Sequence, residues 1–286
     1  MPAREENRLK SGRGLPQKIA IIAGRGLLPS ALARSCLSLG LEPLIVAFKG
    51  QTDLEPLRGL DHFWIRLGRT GTLLKRLKQE GISDLVMIGG MRRPSLSELR
   101  PDWKTLEFFT KYGLSALGDD GFLKALRVFL EKEGFQIHGF QAFMPELLTP
   151  EGVLGRHMPQ DHDRADILRG VAVLKALAPL DVGQAVLVQN GMVLGIEAAE
   201  GTDALILRCA GLKRQGVQGG VLVKLSKTGQ DPDLDLPAMG PQTIEHMIQS
   251  GLSGVAIEAG ASSIVEKERT MALADRNGIF VLGIVV

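Results

Sequence analysis

The chain has 286 residues, of which 44% are hydrophobic and 23% are charged, and its formal net charge is +2. This composition is typical of a globular protein with two domains, and the near-neutral charge argues against nucleic acid as a partner. The polar N-terminal residues predict no secretory signal, and no apolar run reaches the ~18 residues that span a bilayer. Cys36 and Cys209 are far apart in sequence, which predicts reduced core residues of a cytoplasmic protein.

Apolar runs alternate with helical patterns in the first half of the chain. Residues 18–23 form a continuous apolar run, which is typical of a strand buried on both faces. Three more strands are predicted at 44–48, 63–65 and 84–88. Thr70 or Thr72 is a candidate cap for the helix before the last of these. The alternation predicts a parallel, Rossmann-like sheet, and we place this domain at residues 1–147.

Two glycine-containing loops follow strands of this sheet, where ligands of such sheets bind. They are Gly24-Arg25-Gly26-Leu27-Leu28-Pro29 and Gly89-Gly90-Met91-Arg92-Arg93-Pro94. The first is not a dinucleotide fingerprint, because Pro29 stands where a third glycine belongs and no acidic residue ends the second strand. A phosphate or uridine-like group at the helix start and a plain tight turn remain open alternatives.

Further along, acidic residues precede two helical patterns. Asp119 and Asp120 are candidates for ligand contact or for helix capping, and the pattern favours capping. Residues 143–152 contain two prolines and no periodicity, so we place the domain boundary there and the second domain at 148–286. In the following His/Asp-rich run we favour Asp163 as a helix cap over a metal cluster, because the spacing matches no ligand set.

The second domain is predicted to be a mixed sheet with helices. Strands at 184–188 and 192–196 are joined through Asn190-Gly191, a strong hairpin signal. The second strand runs into a turn in which Asp203 either caps a helix or binds a cation, with Glu200 beside it. Later strands are predicted at 220–223, 255–260 and 279–286.

The loop at 224–237 carries two lysines and three aspartates after a buried strand. Lysines hold phosphate oxygens, and aspartates hold Mg²⁺ together with substrate phosphates. The pattern therefore indicates either a metal-assisted phosphate site or a solvated turn, and on these residues alone both stay open.

Several motifs, in order from about Lys18 onwards, resemble one family. They are Ile22–Pro29, Ile88–Pro94, Gly118-Asp119-Asp120, Leu180–Gln184, Glu197–Asp203, Lys227–Pro237 and Glu258-Ala259-Gly260. The family is the UDP-2,3-diacylglucosamine pyrophosphatases of lipid A biosynthesis, of the type unrelated to the calcineurin-like phosphoesterases. The sequence departs from the usual family pattern at Thr228, which replaces a proline, and at Asp233, where a basic residue is common.

The resemblance implies two α/β domains with the ligand between them, and an enzyme that uses Mg²⁺, with Mn²⁺ as an alternative. The reaction that the resemblance implies is attack of water at the α-phosphorus of UDP-2,3-diacylglucosamine, giving UMP and 2,3-diacylglucosamine 1-phosphate (lipid X). From the family motif we expect Asp235 to be the carboxylate most needed for catalysis, with Asp231, Glu200 and Asp203 as further candidates. Asp235 with Glu200 or Asp203 would anchor the metal. The expected substrate-binding residues are Gly24, Gly26, Leu28, Pro29, Gly89, Arg92, Arg93, Asp119, Asp120, Thr202, Lys224, Lys227, Gln230 and Glu258.

The lipid substrate implies a cytoplasmic protein in peripheral contact with the inner membrane, although no amphipathic anchor is recognisable in the sequence. A homodimer is compatible with the resemblance. The rival interpretation is a non-catalytic nucleotide-sugar or lipid-binding protein on the same fold, which fold alone does not exclude. A nicotinamide-dependent oxidoreductase is disfavoured by the incomplete glycine pattern.

Overall fold

The first half of the chain forms a five-stranded parallel sheet in a computed structural model that describes residues 15–91, 101–113, 119–214, 219–227, 233–234 and 236–286. For residues 119 and 120 only the backbone is described. The strand order is β3-β2-β1-β4-β5, with every neighbouring pair parallel. The strands are β1 (Lys18–Ala23), β2 (Glu42–Phe48), β3 (His62–Ile65), β4 (Asp84–Ile88) and β5 (Gln136–His138).

Helices cover both faces of this sheet, as an all-parallel sheet requires. They are α1 (Leu28–Ser38), α2 (Thr70–Gln79), α3 (Trp103–Tyr112) and α4 (Asp119–Lys132). Alternate residues of β1 are buried on opposite faces: Ala20 belongs to the core cluster that contains Leu77 of α2, Phe108 of α3 and Phe129 of α4. The 3-10 helices Glu55–Leu57, Phe140–Ala142, Pro145–Leu147 and Ala178–Leu180 lie in the connections of the chain.

The N-terminus of α2 is capped from a distant part of the chain. The helix begins at Thr70, and its first-turn amides of Gly71 and Thr72 donate to Oδ2 of Asp102, at 2.8 and 3.3 Å. Oδ1 of Asp102 accepts from the Thr105 amide at 3.0 Å and so caps its own helix, α3. The expectation of Thr70 or Thr72 as cap was wrong, because the carboxylate of Asp102, remote in sequence, accepts the hydrogen bonds of the first-turn amides.

This double cap predicts a pH-dependent contribution to stability. Burial opposes ionisation of the Asp102 carboxyl, but its amide and hydroxyl donors outweigh burial and hold its pKa below the ordinary 3.8. The capping contribution is therefore complete above that pH and is lost as the pH falls through the lowered value. Asp102→Asn keeps an oxygen for Thr105 but turns an amide nitrogen towards α2, so we expect the free energy of unfolding to fall by ~1 kcal/mol, and by ~2 kcal/mol in Asp102→Ala.

Urea denaturation of the three proteins from neutral pH into the acid range checks this expectation. The difference between wild type and Asp102→Asn should shrink as the pH falls below 3.8. A difference that is the same at every pH would contradict an ionised double cap.

The second half of the chain forms a six-stranded mixed sheet with the order β6-β13-β11-β9-β7-β8. Its strands are β6 (Gly152–Val153), β7 (Ala185–Gln189), β8 (Met192–Ile196), β9 (Val221–Lys224), β11 (Gly254–Glu258) and β13 (Phe280–Ile284). Strands β10 (Ala238–Met239) and β12 (Ser263–Ile264) form a separate parallel pair. The helices are α5 (Asp161–Leu177), α6 (Thr202–Ala210), α7 (Pro241–Gln249) and α8 (Lys267–Arg276).

Two local predictions in this half have clear outcomes. Asn190 and Gly191 have φ of 48° and 76°, the left-handed pair that a two-residue hairpin turn needs, so the predicted β7–β8 hairpin is confirmed. Asp163 is the third residue of α5 and not its N-cap: its Oδ2 accepts from the Gln160 amide at 2.9 Å, as in a capping box.

The predicted fold class, two α/β domains with a parallel and a mixed sheet, is confirmed. By contact density the chain up to Pro145 forms one unit, together with Asp233 and Leu234, and most of the remaining chain forms the other. Cys36 and Cys209 are buried and free of a disulfide, and burial raises the pKa of the Cys36 thiol to about 12. No helix in the described part of the chain is long and apolar enough to cross a membrane.

Candidate functional site

The two glycine loops of the first unit are packed backbone to backbone. The amide of Gly24 donates to the Ile88 carbonyl at 2.8 Å, and the amide of Arg25 donates to the Gly90 carbonyl at the same distance. A Cβ on Gly24 would lie 2.4 Å from the carbonyl carbon and oxygen of Gly89. Glycine is therefore required at position 24 by the close approach of two loops at the carboxyl ends of β1 and β4.

Gly26 is held by an acidic residue that the sequence analysis missed. Its φ is +90°, a conformation that favours glycine, and its amide donates to Oδ2 of Asp53 at 2.9 Å. Asp53 lies five residues after Phe48, the end of β2, and so beyond the positions where a ribose-binding acidic residue is expected. The hydroxyl of Thr52 donates to the Ala23 carbonyl at 2.6 Å and fixes this loop against β1.

The N-terminus of α1 lies directly after these turns. The helix begins at Leu28, with Pro29 buried in its first turn, and the first turn has neither an acidic residue nor a side-chain cap. Such an end attracts anions through its free amides and the helix dipole. A role for these residues in substrate binding stays a prediction. Arg92 and Arg93 lie outside the described residues, and the side chains of Asp119 and Asp120, at the start of α4, are likewise outside them.

In the second unit, a buried hydrogen-bond chain starts at the carboxyl end of β9. Nζ of Lys224, a residue 5% exposed, donates to Oγ1 of Thr202 at 2.9 Å and to the Ala238 carbonyl at 2.8 Å. The Thr202 hydroxyl in turn donates to Oε1 of Glu197 at 2.7 Å. Lys224 and Thr202, two predicted substrate-binding residues, are thus joined, and the buried Glu197 completes the chain.

The neighbouring strand β11 ends in Glu258, whose carboxylate fixes the start of the loop after β9. Oε2 of Glu258 accepts from the Ser226 amide at 2.7 Å and from the Ser226 hydroxyl at 2.6 Å. Nζ of Lys227 lies 2.7 Å from Oδ1 of Asp181. Ser226, Lys227, Glu258 and Gln184 line a cavity of about 190 Å³. Three of the predicted polar residues, Lys224, Lys227 and Glu258, therefore follow or end adjacent strands of one sheet edge.

Glu200 and Asp203, which were predicted as metal ligands together with Asp235, each contact other side chains of the protein. Oε1 of Glu200 lies 2.7 Å from Nη2 of Arg208, and this hydrogen bond holds the pKa of the Glu200 carboxyl below its ordinary range. Asp203, in the first turn of α6, accepts from the Thr243 hydroxyl at 3.2 Å and lies 3.5 Å from Nδ1 of His246. Among the described residues, no group of three or more His, Cys, Asp or Glu side chains could hold a metal ion.

Between residues 228 and 235 of the loop, the structure describes only Asp233 and Leu234; Asp235, Asp231 and Gln230 lie outside the described residues. Asp233 Oδ1 accepts from Nε2 of Gln141 at 3.1 Å, and its Oδ2 lies 3.4 Å from Nη1 of Arg127. Leu234 is 9% exposed and belongs to the core cluster of the first unit. Asp233 therefore contacts Gln141 and Arg127 within the first unit. The sequence showed only that an aspartate stands where a basic residue is common, and did not predict these contacts.

Sequence comparison decides which family this arrangement belongs to. The LpxI N-terminal domain model matches residues 18–147, and the LpxI C-terminal domain model matches residues 150–282. A relative in Caulobacter vibrioides, named UDP-2,3-diacylglucosamine pyrophosphatase LpxI, is 36% identical over 277 residues, which are 94% of this chain and 98% of that one. The chain belongs to the LpxI family. This confirms the resemblance found in the motifs and, with it, the expectation of an enzyme, a hydrolase of the pyrophosphatase class.

Likeness to solved structures adds nothing to the LpxI assignment. CobK precorrin-6A reductase aligns with 95% of this chain and 90% of its own at 12% identity, with a TM-score of 0.30. The biotin carboxylase domain of the Hydrogenobacter thermophilus 2-oxoglutarate carboxylase aligns with 63% of this chain and 36% of its own, at 13% identity and a TM-score of 0.26. Scores this low carry no argument about fold or function.

Proposed function

We propose that the protein hydrolyses UDP-2,3-diacylglucosamine by attack of water at the α-phosphorus, giving UMP and lipid X in lipid A biosynthesis. The observation that carries the proposal is the 36% identity to the Caulobacter vibrioides protein named UDP-2,3-diacylglucosamine pyrophosphatase LpxI, across nearly the full length of both chains. The order of the two family domains along the chain supports it further. A cytoplasmic location with peripheral contact to the inner membrane follows from the lipid nature of this substrate and belongs to the same proposal.

The polar residues at the sheet edge of the second unit suit a pyrophosphate group. Lys224 and Lys227 carry the positive charge that binds phosphate oxygens. Both side chains are largely shielded from solvent, and charge interactions are stronger in such an environment than in water. Thr202 can turn its hydroxyl to a ligand once Lys224 moves, because hydroxyls both donate and accept. We propose these three as phosphate-binding residues, with the Glu258–Ser226 pair keeping the loop in place.

Magnesium dependence is part of the proposal, but the described residues alone do not fit a magnesium site. Glu200 is bound to Arg208 and Asp203 to Thr243, and no described cluster of three ligands exists. We therefore propose Asp235 as the principal metal-anchoring and catalytic carboxylate, with Asp231 near it in sequence. When bound, Mg²⁺ would neutralise the pyrophosphate charge and provide a more acidic water.

The test is release of UMP and lipid X from UDP-2,3-diacylglucosamine by the purified full chain, with Mg²⁺, with Mn²⁺ and with a chelator. We expect divalent-metal-dependent release that is abolished in Asp235→Asn while the circular dichroism spectrum stays that of the wild type. Asp233→Asn is the matched control: it changes a second acidic residue of the same loop, and we expect it to reduce release without abolishing it, because Asp233 contacts Arg127 and Gln141. Activity retained in Asp235→Asn moves the catalytic carboxylate elsewhere, and ligand binding without turnover by the wild type favours the non-catalytic binding protein.

The Asp233–Arg127 contact predicts a positioning effect on this activity. Asp233 lies two residues before Asp235, so loosening it should misplace the proposed catalytic carboxylate. We expect Asp233→Ala and Arg127→Ala each to lower kcat about tenfold with little change in KM. The double variant should lose less than the sum of the two single losses, because both substitutions break the same Asp233–Arg127 contact.

Glu131→Ala is the matched control for this pair. It removes a carboxylate that contacts Arg127 at 2.8 Å from α4, and leaves the contact with Asp233 in place. Steady-state kinetics of the four variants decide the matter: additive losses in the double variant, or an equal loss in Glu131→Ala, would show that the contact does not position the loop.

A further inference from the structure

Trp103, the first residue of α3, turns its side chain to solvent. The residue is 78% exposed, and Leu106, one turn further along the same helix, is 45% exposed. Residues three apart on a helix share one side, so the two apolar side chains form a single exposed strip. A tryptophan leaves a large apolar area in water, and its amphipathic ring is favoured at membrane interfaces.

Trp103 is exposed even though its helix, α3, packs firmly against the core of the first unit. On the opposite side of α3, Phe108 is 5% exposed and packs edge-on against the rings of Phe122 and Phe129, with centroids 5.7 and 5.5 Å apart. Asp102 caps the same helix. The helix is therefore fixed to the core of the first unit by one side while Trp103 and Leu106 remain outside.

Four lysines belong to α3 or to the groove beside its start. Lys104 and Lys78 both contact Glu133, at 2.6 and 3.3 Å, and together with Lys75 they line an open groove of about 450 Å³ beside the start of α3. Lys111 is exposed two turns after Lys104. Glu107 lies on the same side and is paired with Lys104 at 3.0 Å. Among the described residues of this surface, four lysines stand against Glu107, Glu133 and the ionised Asp102, which leaves one positive charge in excess.

We propose that this surface, formed by Trp103, Leu106, Lys75, Lys78, Lys104 and Lys111 and here called the Trp103 face, docks on an anionic phospholipid bilayer. The apolar side chains enter the headgroup region, while the exposed Lys75 and Lys111 reach the lipid phosphates. The charge complementarity points to anionic lipid. The choice of a membrane as partner also rests on the proposed function, since the substrate is a lipid.

The test is flotation of the purified full chain with vesicles of phosphatidylethanolamine and phosphatidylglycerol, and with vesicles of phosphatidylcholine alone. We expect preferential binding to the anionic vesicles that weakens with added salt. Trp103→Ser combined with Leu106→Ser should lower the vesicle affinity at least about tenfold. Lys75→Gln combined with Lys111→Gln should lower it as well and reduce its salt dependence.

The matched control is Leu168→Ser, which removes an apolar side chain that is 72% exposed on α5, in the second unit. Its vesicle affinity should stay within about twofold of the wild type. The proposal is overturned if the wild type does not float with anionic vesicles, or if the Trp103/Leu106 variant floats like the wild type. It is also overturned if lipid-free sedimentation shows a dimer that this variant abolishes, because the face then covers a second copy.

Hydrolysis of substrate dispersed in detergent is measured separately on the same proteins. An inactive protein that still binds anionic vesicles through the Trp103 face would refute the proposed function and leave the docking proposal standing. An active protein that does not bind anionic vesicles would refute the docking proposal and leave the proposed function standing.

Discussion

Replacing Lys224 with methionine is expected to lower the free energy of unfolding by ~3 kcal/mol, because the substitution removes the cation from a buried polar chain. The ammonium group donates to the Thr202 hydroxyl and to the Ala238 carbonyl, and the Thr202 hydroxyl bonds Glu197. Methionine fills a similar volume but donates nothing. The Ala238 carbonyl and the 6% exposed Glu197 carboxylate would then lose stabilisation in an environment with little water.

The same substitution is expected to reduce kcat/KM for UMP release by about 100-fold, since Lys224 is proposed to hold a phosphate group of the substrate. Both effects are measured on one preparation, by urea denaturation and by kinetics at a temperature where the variant is folded. Thr202→Val is the companion variant. It keeps the lysine and breaks the chain at its middle, and should cost only ~1–2 kcal/mol.

The combination of the two readouts separates the roles of Lys224. A variant that loses stability but keeps its rate would make the lysine purely structural. A Lys224→Met protein as stable as the wild type would contradict the buried chain itself. The double variant with Thr202→Val should be less destabilised than the sum of the single ones, because both remove links of one chain.

The second large effect is expected at Gly24. Alanine there would place its Cβ 2.4 Å from the Gly89 carbonyl and 2.6 Å from the Gly90 carbonyl oxygen. Both neighbours are backbone atoms on a loop that is itself hydrogen-bonded to residues 24 and 25, so the loops must move apart. We expect Gly24→Ala to lower the free energy of unfolding by ~3 kcal/mol, at the upper end of overpacking effects.

Gly90→Ala is the matched control in the facing loop. A Cβ on Gly90 would meet none of the described residues within 4 Å, and its φ lies outside the left-handed region, so the change should stay within ~0.5 kcal/mol of the wild type. Denaturation of both variants checks the pair. Equal stabilities would show that the close approach of the loops is not what requires glycine at position 24.

Much of the fold follows from local patterns. The run at 18–23 is apolar throughout and became the central strand β1, because a strand covered on both faces has no polar side. Asn190-Gly191 predicted a hairpin because few residue pairs adopt two positive φ values cheaply. The family, too, was recognisable from motifs alone, since their combined order is far more specific than each piece.

Contacts between residues far apart in sequence were not predictable in the same way. Asp102 caps α2 from about thirty residues away, and nothing in the pattern at Thr70 indicates that a remote carboxylate accepts from the first-turn amides. Asp53 was missed because the search for an acidic residue stopped at the end of β2, whereas the loop turns back to Gly26. Glu197 was passed over for Glu200, although burial favours Glu197 as a structural carboxylate.

The sequence by itself determined the two α/β domains, the parallel and mixed sheets and the enzyme family, because periodicity and motif order are properties of neighbouring residues. Only the tertiary structure decided which charges meet. It joined Lys224 to Thr202 and Glu197, paired Glu200 with Arg208, placed Asp233 with Arg127 and Gln141, and left Trp103 exposed beside lysines. Such pairings depend on how sheet edges and helices bring distant side chains within ~3 Å of one another, a distance that no local pattern encodes.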